Sequence, residues 1–303
     1  MQQKDENVKL HIGNSCQKED GIACFDEIMD AVSGGCVDNY EKAILAGKNP
    51  DMMKYLSRLK TNIVEAMDLS LDLIVLELGS ECGVVTNALA KKTKAVDSVE
   101  TDYSKCVVSS CVNNANDNVN IYAEDPYVWL SLNEDKEECY DVITMIGGFS
   151  MFPEDKGYDK GEIIRKLKRM LKPGGKIYFA VDNKYGMKYF SGQRQKNINK
   201  YFEGLTIGND KCMKRSYSVR EINELFEDMD IFYYYPYPDY TFTTAVYSDE
   251  WLPKTGELDI RKTNYGESTM LLFDEVSAFE NAIRDGEFKT FANSYMVMCT
   301  RKA

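Results

Sequence analysis

With 303 residues, 44% of them apolar and 28% charged, the chain has the composition of a globular protein, long enough for one elaborated α/β domain or two small ones. A net charge of −12 argues against a general polyanion-binding surface, because phosphate backbones are neutralised by Lys and Arg, so no nucleic-acid partner is expected. His11 is the only histidine, which removes His-based triads and His zinc sites unless His11 itself folds into a cleft; the 9 cysteines form no C-x-x-C pair, so reduced thiols and no metal site are expected.

The opening residues, MQQKDENVKLHIGNS, lack the apolar stretch of a signal peptide, and no run of 18 apolar residues follows, so a cytoplasmic protein without a membrane span is expected. Residues 1 to 60 read as helical and polar, with breaks at Ser33-Gly34-Gly35 and Asn49-Pro50. Phe25, Ile28, Met29 and Val32 recur at helical spacing, as do Met53, Leu56, Leu59 and Ile63. These helices are expected to form a cap on the main domain or a lid over its ligand.

From Leu71 the pattern becomes alternating strands and helices. LDLIVLEL is a continuous apolar run, as expected of a strand buried on both faces of a parallel sheet. A glycine turn, a helix from Val84 to Lys92 and the strand AVDSVE follow. NVNIYAED, YDVITMIGG and KIYFAVDN read as the third, fourth and fifth strands, and GEIIRKLKRMLKPGG as a helix with a Pro-Gly-Gly stop. Repeated units of this length predict a doubly wound, mostly parallel sheet. In the last third, Ser218 to Glu221 reads as a capping box before a helix. An aromatic run from Phe232 to Phe242, a helix near Val276 to Arg284 and a final apolar strand complete one elaborated domain over 61–303, with its core at 71–190 and insertions within 191–287.

The turn after the first strand carries the chemistry. Glycines let backbone approach a ligand, and an acid at the tip of the next strand can accept a ribose hydroxyl pair. A Walker loop is excluded because no Gly-Lys-Ser/Thr follows Gly79 at the G-x-x-x-x-G-K-[ST] spacing, and Gly79-Ser80-Glu81-Cys82-Gly83 does not supply the dinucleotide pattern G-x-G-x-x-G. What remains is an acid at the end of the first strand (Glu77), a G-x-x-x-G turn (Gly79, Gly83), acids after the second and third strands (Glu100, Asp125), and Lys172-Pro173-Gly174-Gly175 before the fifth. Asp182, at the end of the fifth strand, is a candidate general base, with Tyr185 a lesser candidate for orienting substrate; the bland reading is that Asp182 and Asn183 cap the next turn.

These five features in this order resemble the class I S-adenosylmethionine-dependent methyltransferases over residues 54 to 190. The resemblance implies a seven-stranded sheet whose last strand, Phe288 to Thr300, runs antiparallel, and S-adenosylmethionine as cofactor. It implies that Gly79, Ser80, Glu81 and Gly83 form the turn beneath the methionine part, that Glu77 lies near the amino-acid end, and that Glu100 takes the ribose hydroxyls. Asp125 would face the adenine amine, and Ile146 and Gly147 would line the cleft. A narrower resemblance, carried by YLSRLKTNIVEAM, DNKYGMKYFSG and YYPYPDYTFTTAVYSDEWLP, is to bacterial methyltransferases found alone or joined to glycosyltransferases in surface-glycan gene sets. It implies O-methylation of a sugar, glycan precursor or other small hydroxyl compound, and a homodimer is a further expectation.

Three departures stand against that family's pattern. Glu81 replaces the middle glycine of the turn, where its carboxylate could crowd the cofactor's methionine carboxylate or point out to a backbone amide. Gln193-Arg194-Gln195-Lys196 and Tyr55 stand where relatives carry histidine. The rival expectation they raise is a catalytically impaired binding or partner protein on the same fold.

Overall fold

In a computed structural model of the chain, which describes residues 8–17, 22, 24–33, 38–47, 49–152, 156–194, 201–202, 205, 216–259 and 270–302, nine strands form one sheet. They are β1 (Lys9–Ile12), β2 (Ile74–Leu78), β3 (Ala95–Glu100), β4 (Val119–Ala123), β5 (Tyr140–Ile146), β6 (Leu171–Asp182), β7 (Met229–Tyr237), β8 (Ala245–Ser248) and β9 (Ser294–Arg301), in spatial order β1-β4-β3-β2-β5-β6-β9-β7-β8. Neighbours from β1 through β6 pair in parallel, whereas β9 is antiparallel to both β6 and β7, and β8 is antiparallel to β7.

Alternation along the strands divides the core between the two faces. In β6, Ile177, Phe179 and Val181 enter one cluster, while Tyr178 and Ala180 enter the other. The first cluster takes in the helices α7 (Pro126–Leu132) and α8 (Lys160–Met170) and the later helices Val219–Leu225 and Glu275–Arg284; the second takes in α5 (Val84–Ala90) and α6 (Tyr103–Val112). Phe179 is fully buried, with rings of Phe149, Tyr217 and Phe226 at centroid distances of 5.5, 5.9 and 5.4 Å. The capping box at Ser218 and Glu221 is formed as its sequence predicts.

The sheet departs from the seven-stranded expectation at both edges. β1 lies inside the N-terminal segment that reads as helical, and its four residues pair with β4 from Lys9↔Asn120 to Ile12↔Ala123. A strand that short, with only one partly buried side chain, leaves no periodic signal. β8 extends the far edge through a hairpin with β7. The last strand begins at Ser294 rather than Phe288, because Phe288–Phe291 make a helical turn. Helices α1 (Phe25–Ser33), α2 (Asp38–Gly47) and α3 (Pro50–Leu56) pack through Ile28, Val32, Tyr40, Met52 and Leu56 onto Cys82, Val84, Val108 and Val112. They therefore cover the turn after β2 and the flanks of α5 and α6.

Among the strand residues, Glu77 of β2 carries a carboxyl into the interior, where Thr86 Oγ1 donates to Glu77 Oε2 at 2.6 Å. Burial, with the nearby carboxylates of Glu100 and Glu81, pushes its pKa up from the ordinary 4.5 to about 7.

Two measurements check this core. Phe179→Ala is expected to lower unfolding stability in urea by about 3–5 kcal/mol, the usual cost of emptying a buried aromatic site. A loss under ~1 kcal/mol would mean the ring cluster contributes little. For Glu77 the folded pKa lies above the unfolded one, so the folded state holds more protons between pH 4.5 and 7 and stability falls as pH rises through that window. Glu77→Gln is thus expected to gain stability over the parent chain between pH 5 and pH 8, by ~2–3 kcal/mol; parallel unfolding curves at the two pH values would contradict it.

Candidate active site

Strand order reverses between β2 and β5, and the crevice beyond the carboxyl ends of strands at such a switch point is where open α/β sheets place ligands. The turn after β2 is left-handed at three positions: Gly79 (φ 77°), Glu81 (φ 48°) and Gly83 (φ 78°). Two of these need glycine for close packing as well as for φ. A β-carbon on Gly83 would lie 2.2 Å from Ser109 Oγ and 2.8 Å from Ser109 Cα, so this position presses α5 against α6. One on Gly79 would lie 2.9 Å from Met151 Cε, the mobile end of a thioether on the loop after β5.

Glu81 adopts neither of the two expected orientations. Its carboxylate forms an ion pair with the buried ammonium of Lys60, which also donates to the Lys54 carbonyl at 3.0 Å. Its own backbone amide donates to Glu100 Oε2 at 2.9 Å. Burial works to raise the Glu81 pKa, but the charges of Lys60 and Lys105 outweigh it and hold the carboxyl down at about 2. Glu100, buried at the tip of β3, accepts a second amide from Asp102 at 3.1 Å through Oε1, and Lys105 Nζ stands 4.0 Å from that oxygen. Tyr55 belongs to the same cluster: burial, with Glu81 nearby, pushes its hydroxyl up to about 12. Ser80 and Thr101 bury hydroxyl groups beside these acids with no hydrogen-bond partner among the described residues.

Asp125 is the N-cap of α7. Its Oδ1 accepts the amides of Tyr127 and Val128 at 2.8 and 3.3 Å, and its Oδ2 accepts the Tyr158 hydroxyl at 3.2 Å. The chain from Gly13 to Gln17 crosses the tips of β3 and β4 here: Ser15 donates its amide to Glu124 at 2.8 Å, and the amide of Asp125 donates to Ser15 Oγ at 3.0 Å. Ile146 and Gly147 end β5 on the other side of the crevice; a β-carbon on Gly147 would meet Ser150 Oγ at 2.8 Å and Tyr240 OH at 4.0 Å.

Asp182 ends β6 with 14% of its side chain exposed and accepts a hydrogen bond from Lys188 Nζ at 2.5 Å through Oδ1. Lys188 is itself buried and lies 3.6 Å from Asp239 Oδ2. Burial disfavours the lysine's charge, but Asp182 and Asp239 overcome it and raise its pKa, so the cation persists. Tyr189 hydrogen-bonds Asp182. Burial, with Asp182 and Asp239 nearby, raises the Tyr240 hydroxyl well above the ordinary value. Tyr185 is turned outward, 42% exposed, with its amide donating to Asn183 Oδ1 at 2.9 Å. Asn183 is fully buried, donating to the carbonyls of Thr290 and Ala292. Most of the aromatic run is core: Tyr233, Tyr235 and Tyr237 are buried, leaving Tyr240 as the aromatic beside Gly147. Gln193 is buried, Arg194 lies partly so, and Gln195 and Lys196 fall outside the described residues.

Sequence reasoning missed Lys60, Lys105, Lys188, Asp239, Tyr240 and Met151. All but Met151 sit outside the strand tips on which the motifs lie. Lys188 follows Asp182 by six residues, and Asp239 follows a Pro in the aromatic run, a faint turn signal at most.

Comparison with known proteins falls on the same region. The family model for ribosomal RNA adenine dimethylase matches residues 55–163, about a third of the chain, and S-adenosylmethionine is the cofactor of that family. No curated protein sequence matches closely enough to count as a relative. Among solved structures, a chain of the complex between the Haloferax volcanii Trm112 methyltransferase activator and a methyltransferase superposes with a TM-score of 0.52 at 14% identity, covering 87% of this chain and 98% of that one. Phosphoethanolamine N-methyltransferase 1 of Haemonchus contortus, in complex with phosphoethanolamine and S-adenosylhomocysteine, matches at 12% identity and a TM-score of 0.49. It covers 92% of this chain, which spans about half (48%) of that protein's length. A S-adenosylmethionine-dependent methyltransferase of Thermotoga maritima matches at 14% identity and a TM-score of 0.45, over 90% of this chain and 100% of the other. The sheet order and the Haloferax superposition together establish that this chain has the α/β, Rossmann-like fold of the class I S-adenosylmethionine-dependent methyltransferases.

Proposed function

We propose that the chain is a cytoplasmic S-adenosylmethionine-dependent methyltransferase acting on a hydroxyl of a sugar, glycan precursor or similar small acceptor. The observation that carries this reading is the meeting, at one switch point, of a left-handed glycine turn, the Glu100 carboxylate held under that turn by the Glu81 amide, and a second charged cluster around Asp182. The residues present fit the cofactor. Gly79 leaves the backbone of the turn bare of a side chain, the buried hydroxyls of Ser80 and Thr101 have no hydrogen-bond partner among the described residues, and Glu100 keeps lone pairs beyond the two amides it accepts. Gly79, Ser80 and Gly83 would hold its amino-acid end with Glu81, Glu100 its ribose, and Ile146 and Gly147 one wall of the crevice. Glu77 would act from beneath, as the buried carboxyl that braces α5 through Thr86. Asp125 would border the adenine from its place as the α7 cap.

When bound, S-adenosylmethionine supplies a methyl group already activated on a sulfonium, so the protein's task is alignment in a dry site and removal of one proton. Asp182 is the carboxylate placed to accept the acceptor's proton, since it alone of the three charged groups at the end of β6 retains exposure above a few per cent. Lys188 and Asp239 position it, and Tyr240 stands beside Gly147. Tyr185 lies at the outer rim, where it would touch only a larger acceptor. The net charge of −12 argues against carrying over the RNA substrate named for the matched family. What supports catalysis over a non-catalytic binding module is the pairing of Glu81 with Lys60, which compensates the carboxylate's charge beside the turn. Free thiols at all seven described cysteines accord with a reducing compartment, and among the described residues no helix is long and apolar enough to cross a membrane.

Calorimetry with S-adenosylhomocysteine is expected to give saturable binding that Gly79→Val abolishes; no heat at millimolar ligand would overturn the cofactor assignment. With radiolabelled S-adenosylmethionine and small molecules from a cell extract, Asp182→Asn is expected to slow transfer by about 10²–10⁴-fold while leaving S-adenosylhomocysteine binding unchanged. Unaltered transfer would remove Asp182 from the reaction.

A further inference from the structure

The Lys60–Glu81 pair is out of keeping with an ordinary structural ion pair. Glu81 holds a left-handed backbone conformation that a residue with a β-carbon rarely adopts, in a turn whose other left-handed positions are glycine. Lys60 is withdrawn from water on a 3-10 turn, Arg58–Thr61, with only 10% of its side chain exposed, whereas the carboxylate it holds is 38% exposed. The pair is therefore open on one side. Lys60 uses one donor on the Lys54 carbonyl and one on Glu81, and no third partner occurs among the described residues; Glu81 spends one carboxylate oxygen on Lys60. Beside them Ser80, 5% exposed, buries a hydroxyl with no hydrogen-bond partner among the described residues. An unused ammonium proton, an unused carboxylate oxygen and an unused hydroxyl thus lie on one turn.

Those three groups match an α-amino acid in its zwitterionic form. We propose that the Lys60–Glu81 pair is the closed state of a zwitterion clamp, in which Lys60 takes the α-carboxylate of the cofactor's methionine moiety and Glu81 takes its α-ammonium. This rests on the S-adenosylmethionine reading and adds to it the residues that recognise the amino-acid end. One ion pair opens and two form, so no buried charge is left without a partner at any stage. That matters because an uncompensated charge in this setting is far more costly than the pair itself is stabilising. Lys60 has already shed its water in the closed state, so its desolvation is not charged against binding. Lys105 of α6 and Glu100 at the tip of β3, 4.0 Å apart, keep the site near electroneutral while the exchange takes place.

The clamp can be separated from the rest of the cofactor site with two ligands, S-adenosylhomocysteine and 5′-methylthioadenosine, which lacks the amino-acid end. Calorimetry on the full chain is expected to show Lys60→Met and Glu81→Gln each weakening S-adenosylhomocysteine by about tenfold or more, the scale of one charge-assisted hydrogen bond, with 5′-methylthioadenosine changed by less than about twofold. Lys60→Arg, which keeps the charge, should retain S-adenosylhomocysteine affinity within about threefold and serves as the control for folding. Tighter S-adenosylhomocysteine binding by Glu81→Gln would make Glu81 a competitor for Lys60 and overturn the clamp. Equal losses for both ligands would reduce the pair to scaffolding. If the unmodified chain binds 5′-methylthioadenosine but gains nothing from the amino-acid end, the clamp fails while the adenosine site stands. If it binds neither ligand, the methyltransferase reading itself fails.

Discussion

Crowding of negative charge at the tips of β2 and β3 is the constraint on which the rest of this structure turns. Burial first, and then the neighbouring carboxylates of Glu100 and Glu81, disfavour ionisation of Glu77. The fold resolves the conflict differently for each acid. Glu77 is buried and holds its proton to about pH 7; Glu81 is ionised against Lys60; Glu100 is ringed by two backbone amides with Lys105 nearby. A chain with 49 acidic and 37 basic residues has few lysines to spare, and here it brings two of them in from outside the sheet. The helical layer before β2 is therefore part of the electrostatics of the turn, supplying Lys60 as well as the apolar side chains that cover Cys82 and Val84.

A second site of the same kind ends β6. Asp182, Lys188 and Asp239 place one cation between two anions, and the lysine's charge survives burial only because both carboxylates face it. Burial and the Asp182 carboxylate raise the pKa of Tyr240, whose hydroxyl stands beside Gly147 at the end of β5.

How much of this could be read beforehand depends on what kind of signal each part leaves. β2 and the second half of β6 are buried on both faces and declare themselves as apolar runs, and the turn declares itself through Gly79 and Gly83. β1 leaves no such signal, because only Leu10 of Lys9–Ile12 is partly buried and the strand is held by backbone pairing and by the Ser15 contacts to Glu124. The acids are visible in the sequence as residues but not as partners: Asp125 reads there only as a contact to adenine, and its hydrogen bonds show it capping α7. Lys60 and Lys188 were invisible for a different reason. A lysine on a short helix is nearly always solvated, and only tertiary contacts reveal one that is buried. Glu81 was recognised as discordant, yet its partner lies 21 residues upstream, beyond any local pattern.

The N-terminal strand gives that edge of the sheet an unusual linkage. β1 extends the sheet beyond β4, and the residues that follow it, Gly13 to Gln17, bond to Ala123, Glu124, Thr101 and Tyr103 across the tips of two strands. A terminal extension and the floor of the crevice are thus one mechanical unit. A fusion tag, a binding partner or a truncation that disturbs residues 9 to 17 would be felt at Asp125, through its amide bond to Ser15, and beside Glu100, more than eighty residues away along the chain.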